Sequence, residues 1–207
     1  NGNGNRVHIG VMGGTFDPIH KGHLMVAEEV RARLNLAEVL LVPAGQPWLK
    51  PHSPLLAAEY RVEMVRLAMD NKSYFKLSTI DIERPGPSYA VDTVAELQGQ
   101  LRVGDELFFI LGWDNLAELP QWREPFRLIK MCHLVVVPRP GYPPPRLKSL
   151  ERAVPGLSQR VMLMDEPEID ISASVIRSRV VQGLSIGGLV PEAVERYIKQ
   201  NGLYKIE

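Results

Sequence analysis

Six short apolar runs, Val7 to Met12, Val39 to Val42, Phe75 to Ile80, Leu107 to Leu111, Leu134 to Val137 and Val161 to Met164, alternate with stretches of helical periodicity. Runs this short, rich in β-branched residues and bounded by turn formers, fit strands buried on both faces. Between them, Leu24, Ala27, Val30 and Leu34 recur at helical spacing, as do Val62, Val65 and Met69, and then Val91, Val94, Leu97 and Leu101. Strand and helix in alternation predict an α/β fold, a mainly parallel sheet with helices on both faces. Ligands of such sheets bind beyond the carboxyl ends of the strands. A chain of 207 residues, 45% of them hydrophobic, can bury one sizeable core. We read residues 1–6 (NGNGNR) as a flexible leader and residues 7–207 as a single domain. Its small C-terminal helical part starts at about residue 172, and PEAVERYIKQNGLY from Pro191 is its closing helix, with Gly202 past the end.

Charge and cysteine usage narrow the function classes. Lys plus Arg and Asp plus Glu number 24 each, so there is no bulk positive field to hold a nucleic acid or an anionic membrane surface. No apolar stretch approaches the roughly 18 residues of a membrane span. The single cysteine, Cys132, lies inside an apolar run, where a buried inert thiol is expected; a reducing, cytoplasmic setting fits. Three segments are proline-rich: PAGQPWLKPHSP (43–54), ERPGPS (83–88) and PRPGYPPP (138–145). Proline fixes φ and lowers the entropy lost on ordering, so these are stiff arms.

The first strand ends in Gly13-Gly14 and runs through TFDPI into a helix that opens with His20, Lys21, Gly22 and His23. The first amides of a helix lack intrahelical partners, and the dipole adds partial positive charge, so this turn favours an anion such as phosphate. Gly13 and Gly14 allow close backbone approach, and Gly22 removes a Cβ where a nucleotide could press. Histidine supplies N–H donors and a charge that can form near neutral pH. Metal ligation is the rival use of the pair, but no cysteine or acidic cluster stands nearby at zinc spacing, and Asp17 before a proline suits a turn cap. A second helix start, ISASVIRSR from Ile171, offers Ser172 or Ser174 as a cap and Arg177 as a bidentate phosphate ligand. Arg61 and Arg84 read as charges on exposed faces or as loop anchors.

GGTFDP followed by HKGH (13–18, 20–23) resembles the (H/T)xGH signature of the nucleotidyltransferase superfamily, and ISASVIR (171–177) resembles its second motif. With GPSYAVDT, LFFILGWDNL, LPQWRE, RPGY and the closing NGLY in the same order, the chain is similar to bacterial nicotinate mononucleotide adenylyltransferases over nearly its whole length. The resemblance implies a Rossmann-like, doubly wound fold and adenylyl transfer from ATP to nicotinate mononucleotide with Mg²⁺, without a covalent enzyme intermediate. It implies that His20 and His23 hold the α- and β-phosphates, helped by the Thr15 and Phe16 amides, and that Ser172, Ser174 and Arg177 hold pyrophosphate. Gly112 and Asp114 then meet the adenosine ribose, although Asp114 also suits a helix N-cap. Trp122 stacks on the pyridine, and the amides around Ser88, Tyr89 and Ala90 take its carboxylate. Ala90 stands where the family often has Thr, leaving backbone donors there. Lys50 is the candidate for the mononucleotide phosphate. Alternatives are a nicotinamide-preferring or dual-specific enzyme and a catalytically silent nucleotide-binding module; the oligomeric state is open.

Overall fold

The computed structural model describes residues 6–48 and 54–205. Lys50 and most of the leader lie outside these residues. Eight strands are present among them: β1 (His8–Gly14), β2 (Glu38–Pro43), β3 (Gln46–Pro47), β4 (Phe75–Leu77), β5 (Pro87–Ser88), β6 (Glu106–Gly112), β7 (His133–Val137) and β8 (Val161–Leu163). The intervening helices are α1 (Lys21–Leu34), α2 (Ala58–Met69), α3 (Ile80–Glu83), α4 (Ala90–Gly99), α5 (Trp113–Ala117), α6 (Pro125–Met131), α7 (Leu147–Ala153), α8 (Ala173–Val181) and α9 (Glu192–Gln200).

Six strands form one sheet in the order β4-β2-β1-β6-β7-β8, and every pairing is parallel. The chain thus winds outward from β1 to one edge, returns to the centre at β6 and winds to the other edge, as in the expected doubly wound fold. Side chains of successive strand residues point to opposite faces, and the two cores follow that alternation. Leu107, Phe109, Leu111, Leu134 and Val136 enter one cluster with Val94 and Leu97 of α4. Phe108, Ile110, Val135 and Val137 enter the other with Ala27 and Val30 of α1. That second cluster also takes Val194, Ile198 and Leu203, which docks the closing helix against the core. Cys132 is 1% exposed, and burial pushes its thiol up to about 12. Among the described residues no helix is long and apolar enough to cross a membrane.

Two expectations change in detail. The run Phe75 to Ile80 is strand only to Leu77; Ile80 opens the short helix α3, because its buried side chain is needed against Val91 and Leu111 on the α4 side of the sheet. The periodicity that continued to Leu101 leaves the helix after Gly99. The short helices α5, α6 and α7 carry no long stripe and went unread.

The first two proline-rich arms are zipped together beyond the sheet. Gln46 pairs with Pro87 and Pro47 with Ser88, in parallel, and the Gly45 N–H donates to the Ser88 hydroxyl oxygen at 3.1 Å. A Cβ on Gly45 would stand 2.4 Å from the Asp81 carbonyl oxygen, so the junction admits glycine alone. Gly45→Ala should therefore force backbone apart and cost about 2 kcal/mol, read as a lower urea midpoint at unchanged slope.

Candidate active site

A cavity of about 500 Å³ opens at the carboxyl ends of β1 and β6, where the strand order reverses. Its floor is the turn after β1. Gly13, Gly14, Thr15, His20, Gly22 and His23 line it, and on the facing side are Gly112 and Asn115 of the turn after β6. Ser88, Ala90 and Trp122 line the other end, so the expected base subsite and the expected phosphate subsite share one cavity.

Local rules explain the histidine geometry. His20 is the N-cap of α1 in extended conformation, and its backbone N–H donates to Nδ1 of His23, three residues on, at 3.1 Å. The helix start thus uses an imidazole where a capping box commonly uses Glu or Gln. The bond fixes the tautomer: Nδ1 is the acceptor, so in the neutral ring the proton sits on Nε2. The two rings stack at 3.7 Å between centroids, and Phe16 meets His23 edge-on at 5.0 Å. A Cβ on Gly22 would lie 2.8 Å from the His20 ring, so this glycine makes room for the imidazole itself.

Sequence alone suggested a histidine charge near neutral pH, and the structure corrects this for the free protein. Burial, followed by the Arg139 charge, pushes His20 down to about 4. His23 is held well below its ordinary value by burial, then by His20 and Arg139. Both rings are neutral donors at neutral pH; an arriving phosphate acts in the opposite direction, because a nearby anion favours the imidazolium.

The second motif stands beside the first. Ser172 is the N-cap of α8, its hydroxyl oxygen accepting from the Val175 N–H at 3.5 Å, and it lies 2.8 Å from the exposed Ser174 hydroxyl. Arg177 reaches back to the first motif and donates from Nη1 to the Asp17 carbonyl at 2.8 Å. Gly112 is the N-cap of α5; Asp114, in the first turn, is therefore not the cap. Tyr89 is the N-cap of α4, its ring between Trp48 at 5.8 Å and the Arg123 guanidinium at 4.8 Å. Trp122 packs edge-on against Phe109.

Two residues that line this cavity, His20 and Trp122, carry unpartnered buried polar atoms. Buried side-chain N and O atoms are normally hydrogen-bonded. Among the described residues four are not, and three of these are His20 Nδ1, Asp114 Oδ1 and Trp122 Nε1, each on a residue expected to meet substrate.

Several residues here had no sequence signal strong enough to find them. Arg61 is 1% exposed, which excludes the exposed-face alternative and bears out the loop-anchor one: it donates to the carbonyls of Leu56, Thr15 and Ala44 at 2.7–2.9 Å, anchoring three loops. Arg84 is a loop anchor, paired with Asp81 at 2.9 Å and with Glu96. Asp81, whose carboxyl is raised by burial, accepts from the Thr93 hydroxyl at 2.7 Å, and both line the base end of the cavity. Arg139 lines the phosphate end; only its place in an exposed RPG turn was visible.

A parallel doubly wound sheet whose central switch point carries this histidine turn defines a nucleotidyltransferase. The family model described as cytidylyltransferase-like matches residues 11–179. A probable nicotinate-nucleotide adenylyltransferase of Dehalococcoides mccartyi is 47% identical over 195 residues, which are 94% of this chain and 96% of that one. Another from Roseiflexus is 45% identical over 197 residues, 95% of this chain and 98% of its own. The chain belongs to the nicotinate-nucleotide adenylyltransferase family. Its fold is that of Plasmodium falciparum nicotinic acid mononucleotide adenylyltransferase, solved with APC and with NaAD, at a TM-score of 0.75, 20% identity and 96% and 98% coverage of the two chains.

The depressed histidines have a thermodynamic consequence with a definite sign. The unfolded His20 takes its proton near its ordinary value of 6.5 and the folded one only at about 4. Between those values the unfolded state binds more protons, so stability falls as pH drops through the window and levels off below it. His20→Asn should lose less stability than the unaltered protein between pH 7 and about 4.5, as read from paired urea titrations at both pH values.

Proposed function

We infer that the protein transfers the adenylyl group of ATP to nicotinate mononucleotide, forming nicotinate adenine dinucleotide and pyrophosphate in NAD biosynthesis. The observation that carries this inference is the stacked His20–His23 pair on an anion-favouring helix start, in one cavity with the aromatic pocket around Trp122. The full-length likeness to nicotinate-nucleotide adenylyltransferases supports it.

A mononucleotide phosphate oxygen attacks the α-phosphorus of ATP. A new P–O bond forms, the bond to the β-phosphate oxygen breaks, and pyrophosphate leaves with that electron pair. No enzyme nucleophile takes part; the protein positions the phosphates and stabilises their charge. In this assignment His20 and His23 donate to the α- and β-phosphates, with the Thr15 and Phe16 amides beside them and Gly13, Gly14 and Gly22 keeping the approach open. Ser172, Ser174 and Arg177 receive the departing pyrophosphate. Gly112 and Asp114 meet the adenosine ribose, whose hydroxyls can donate to the unpartnered Asp114 Oδ1. The pyridine stacks on Trp122, with its carboxylate at the start of α4. There the amides of Ser88, Tyr89 and Ala90 are the available donors, joined by the Ser88 hydroxyl, whose oxygen accepts from Gly45 and whose O–H can still donate. Lys50, outside the described residues, stays a candidate for the mononucleotide phosphate.

Mg²⁺ is assigned as a companion of ATP. The groups at the phosphate end are the His20 and His23 imidazoles, backbone amides and the Arg139 guanidinium, and the Asp17 carboxylate of the same turn already accepts from Tyr204 and Leu56, so the nucleotide's own phosphates are the fitting ligands. Bound there, Mg²⁺ neutralises phosphate charge. We place the reaction in the cytoplasm, with small molecules alone as partners and neither nucleic acid nor membrane.

Pyrophosphate release from ATP and Mg²⁺, with nicotinate and nicotinamide mononucleotide in separate tubes, tests this directly. The acid should be strongly preferred; equal rates would make the enzyme dual-specific, and no release with either would leave a binding module. In the productive assay His23→Ala should reduce turnover by on the order of 10²-fold, the loss typical of one preorganised donor, and near-normal turnover would remove His23 from the phosphate site.

A further inference from the structure

The phosphate-binding turn is held from the far end of the chain. Phe16 has φ 50, a left-handed conformation that a bulky residue keeps only where its surroundings enforce it. Bonds on both sides supply that enforcement. Before Phe16, the Thr15 carbonyl accepts from buried Arg61 at 2.9 Å. After it, the Asp17 carbonyl accepts from Arg177 at 2.8 Å. The Asp17 side chain is 4% exposed. One oxygen accepts from the Leu56 N–H at 3.4 Å and the other from the Tyr204 hydroxyl at 2.6 Å. Tyr204 follows Leu203, which is 5% exposed and anchors this segment in the core cluster that also takes Val194 and Ile198 of α9.

We propose that Tyr204 is a positioning residue for adenylyl transfer, its hydroxyl fixing the Asp17 carboxylate and through it the turn that aligns the ATP phosphates. The proposal rests on the adenylyl-transfer reading of the site. A tyrosine there purely for packing would not need its hydroxyl aimed at a buried carboxylate. Asp17 also ties together the two elements assigned to phosphate, since its side chain holds the first turn while its carbonyl holds the Arg177 guanidinium of the second. Without the hydroxyl donor, a buried oxygen of Asp17 loses its partner, which a buried carboxylate does not tolerate. The carboxylate then competes for Arg177 or Arg61, drawing the first from pyrophosphate or the second from the Thr15 carbonyl. Both displacements fall on ATP, and neither touches the pyridine subsite around Trp122. The C-terminal segment thereby contributes to catalysis although it supplies no group to the reacting atoms.

The test compares Tyr204→Phe with Leu203→Ala, which loosens the same segment without removing a partner of Asp17. Calorimetric binding of a non-hydrolysable ATP analogue and of nicotinate mononucleotide is measured for each, with kcat and KM for both substrates and a melting curve to verify folding. Tyr204→Phe should weaken analogue binding and lower kcat/KM for ATP by on the order of tenfold or more, the scale of a small misalignment of reacting groups, while mononucleotide binding changes by less than about twofold. Leu203→Ala should lower the melting temperature and leave analogue binding within about twofold at temperatures where it is folded. Unaltered analogue binding by Tyr204→Phe, equal losses for both ligands, or equal behaviour of the two variants would overturn the proposal. If Tyr204→Phe does not fold, the double variant Asp17→Asn/Tyr204→Phe removes charge and hydroxyl together. It should still bind the analogue about tenfold more weakly, and unaltered binding would overturn the proposal equally. Silence of the unaltered protein in pyrophosphate release would count against adenylyl transfer alone, because the binding comparison needs no turnover.

Discussion

Everything functional in this molecule depends on the reversal of winding at the centre of its sheet. β1 and β6 are neighbours, but the chain leaves β1 toward one edge and leaves β6 toward the other. The turns at their carboxyl ends therefore diverge, and a cavity opens between them that helices cannot fill. Because all six strands are parallel, their carboxyl ends lie on one side of the sheet. Helices that follow β1 and β6 accordingly begin at that cavity with their free amides facing it. The alternation of Leu107 to Leu111 between two apolar clusters keeps both faces covered, so this edge is the open side of the sheet.

Within that frame the polar residues settle the details. Apolar packing is tolerant of shape, whereas a buried donor or acceptor demands a partner at a definite distance. Arg61, with three carbonyl acceptors, sets the relative height of three loops. Asp17 joins the first turn, the loop before α2 and the C-terminal segment, and its carbonyl joins α8. The Asp81–Thr93–Arg84–Glu96 chain does the same for the arm that borders the base subsite. Among the described residues, His20, Asp114, Trp122 and Arg31 each keep a buried polar atom without a partner.

The neutral state of the two histidines follows from the same economy. Buried, packed ring to ring and near Arg139, neither takes up a second proton at neutral pH in the free protein. The free protein therefore presents two neutral imidazoles at the start of α1, and the His23 tautomer is set by one backbone N–H.

Much of this was legible in the amino-acid sequence, because its carriers are local. Strand and helix periodicity, the Gly-Gly turn running into paired histidines and the serine cap before Arg177 depend on spacing alone, and spacing survives in one dimension. The misreadings share one cause. Arg61 stayed open between a surface charge and a loop anchor because the helical stripe says which face is apolar and cannot say which loop carbonyls lie beyond it. The histidines looked titratable near neutrality because their burial, and the charge of an arginine more than a hundred positions away, arise only in the folded chain. Asp17 looked like a turn cap because Tyr204, which holds it, is 187 positions distant. The sequence by itself determined the class of fold, the family and the histidine turn that lines the cavity, since these rest on short-range patterns of polarity and backbone preference. Tertiary structure alone decided protonation, the bracing of the turn and the pairing of the first two proline-rich arms, because burial and hydrogen-bond partnership exist only between segments that the fold brings together.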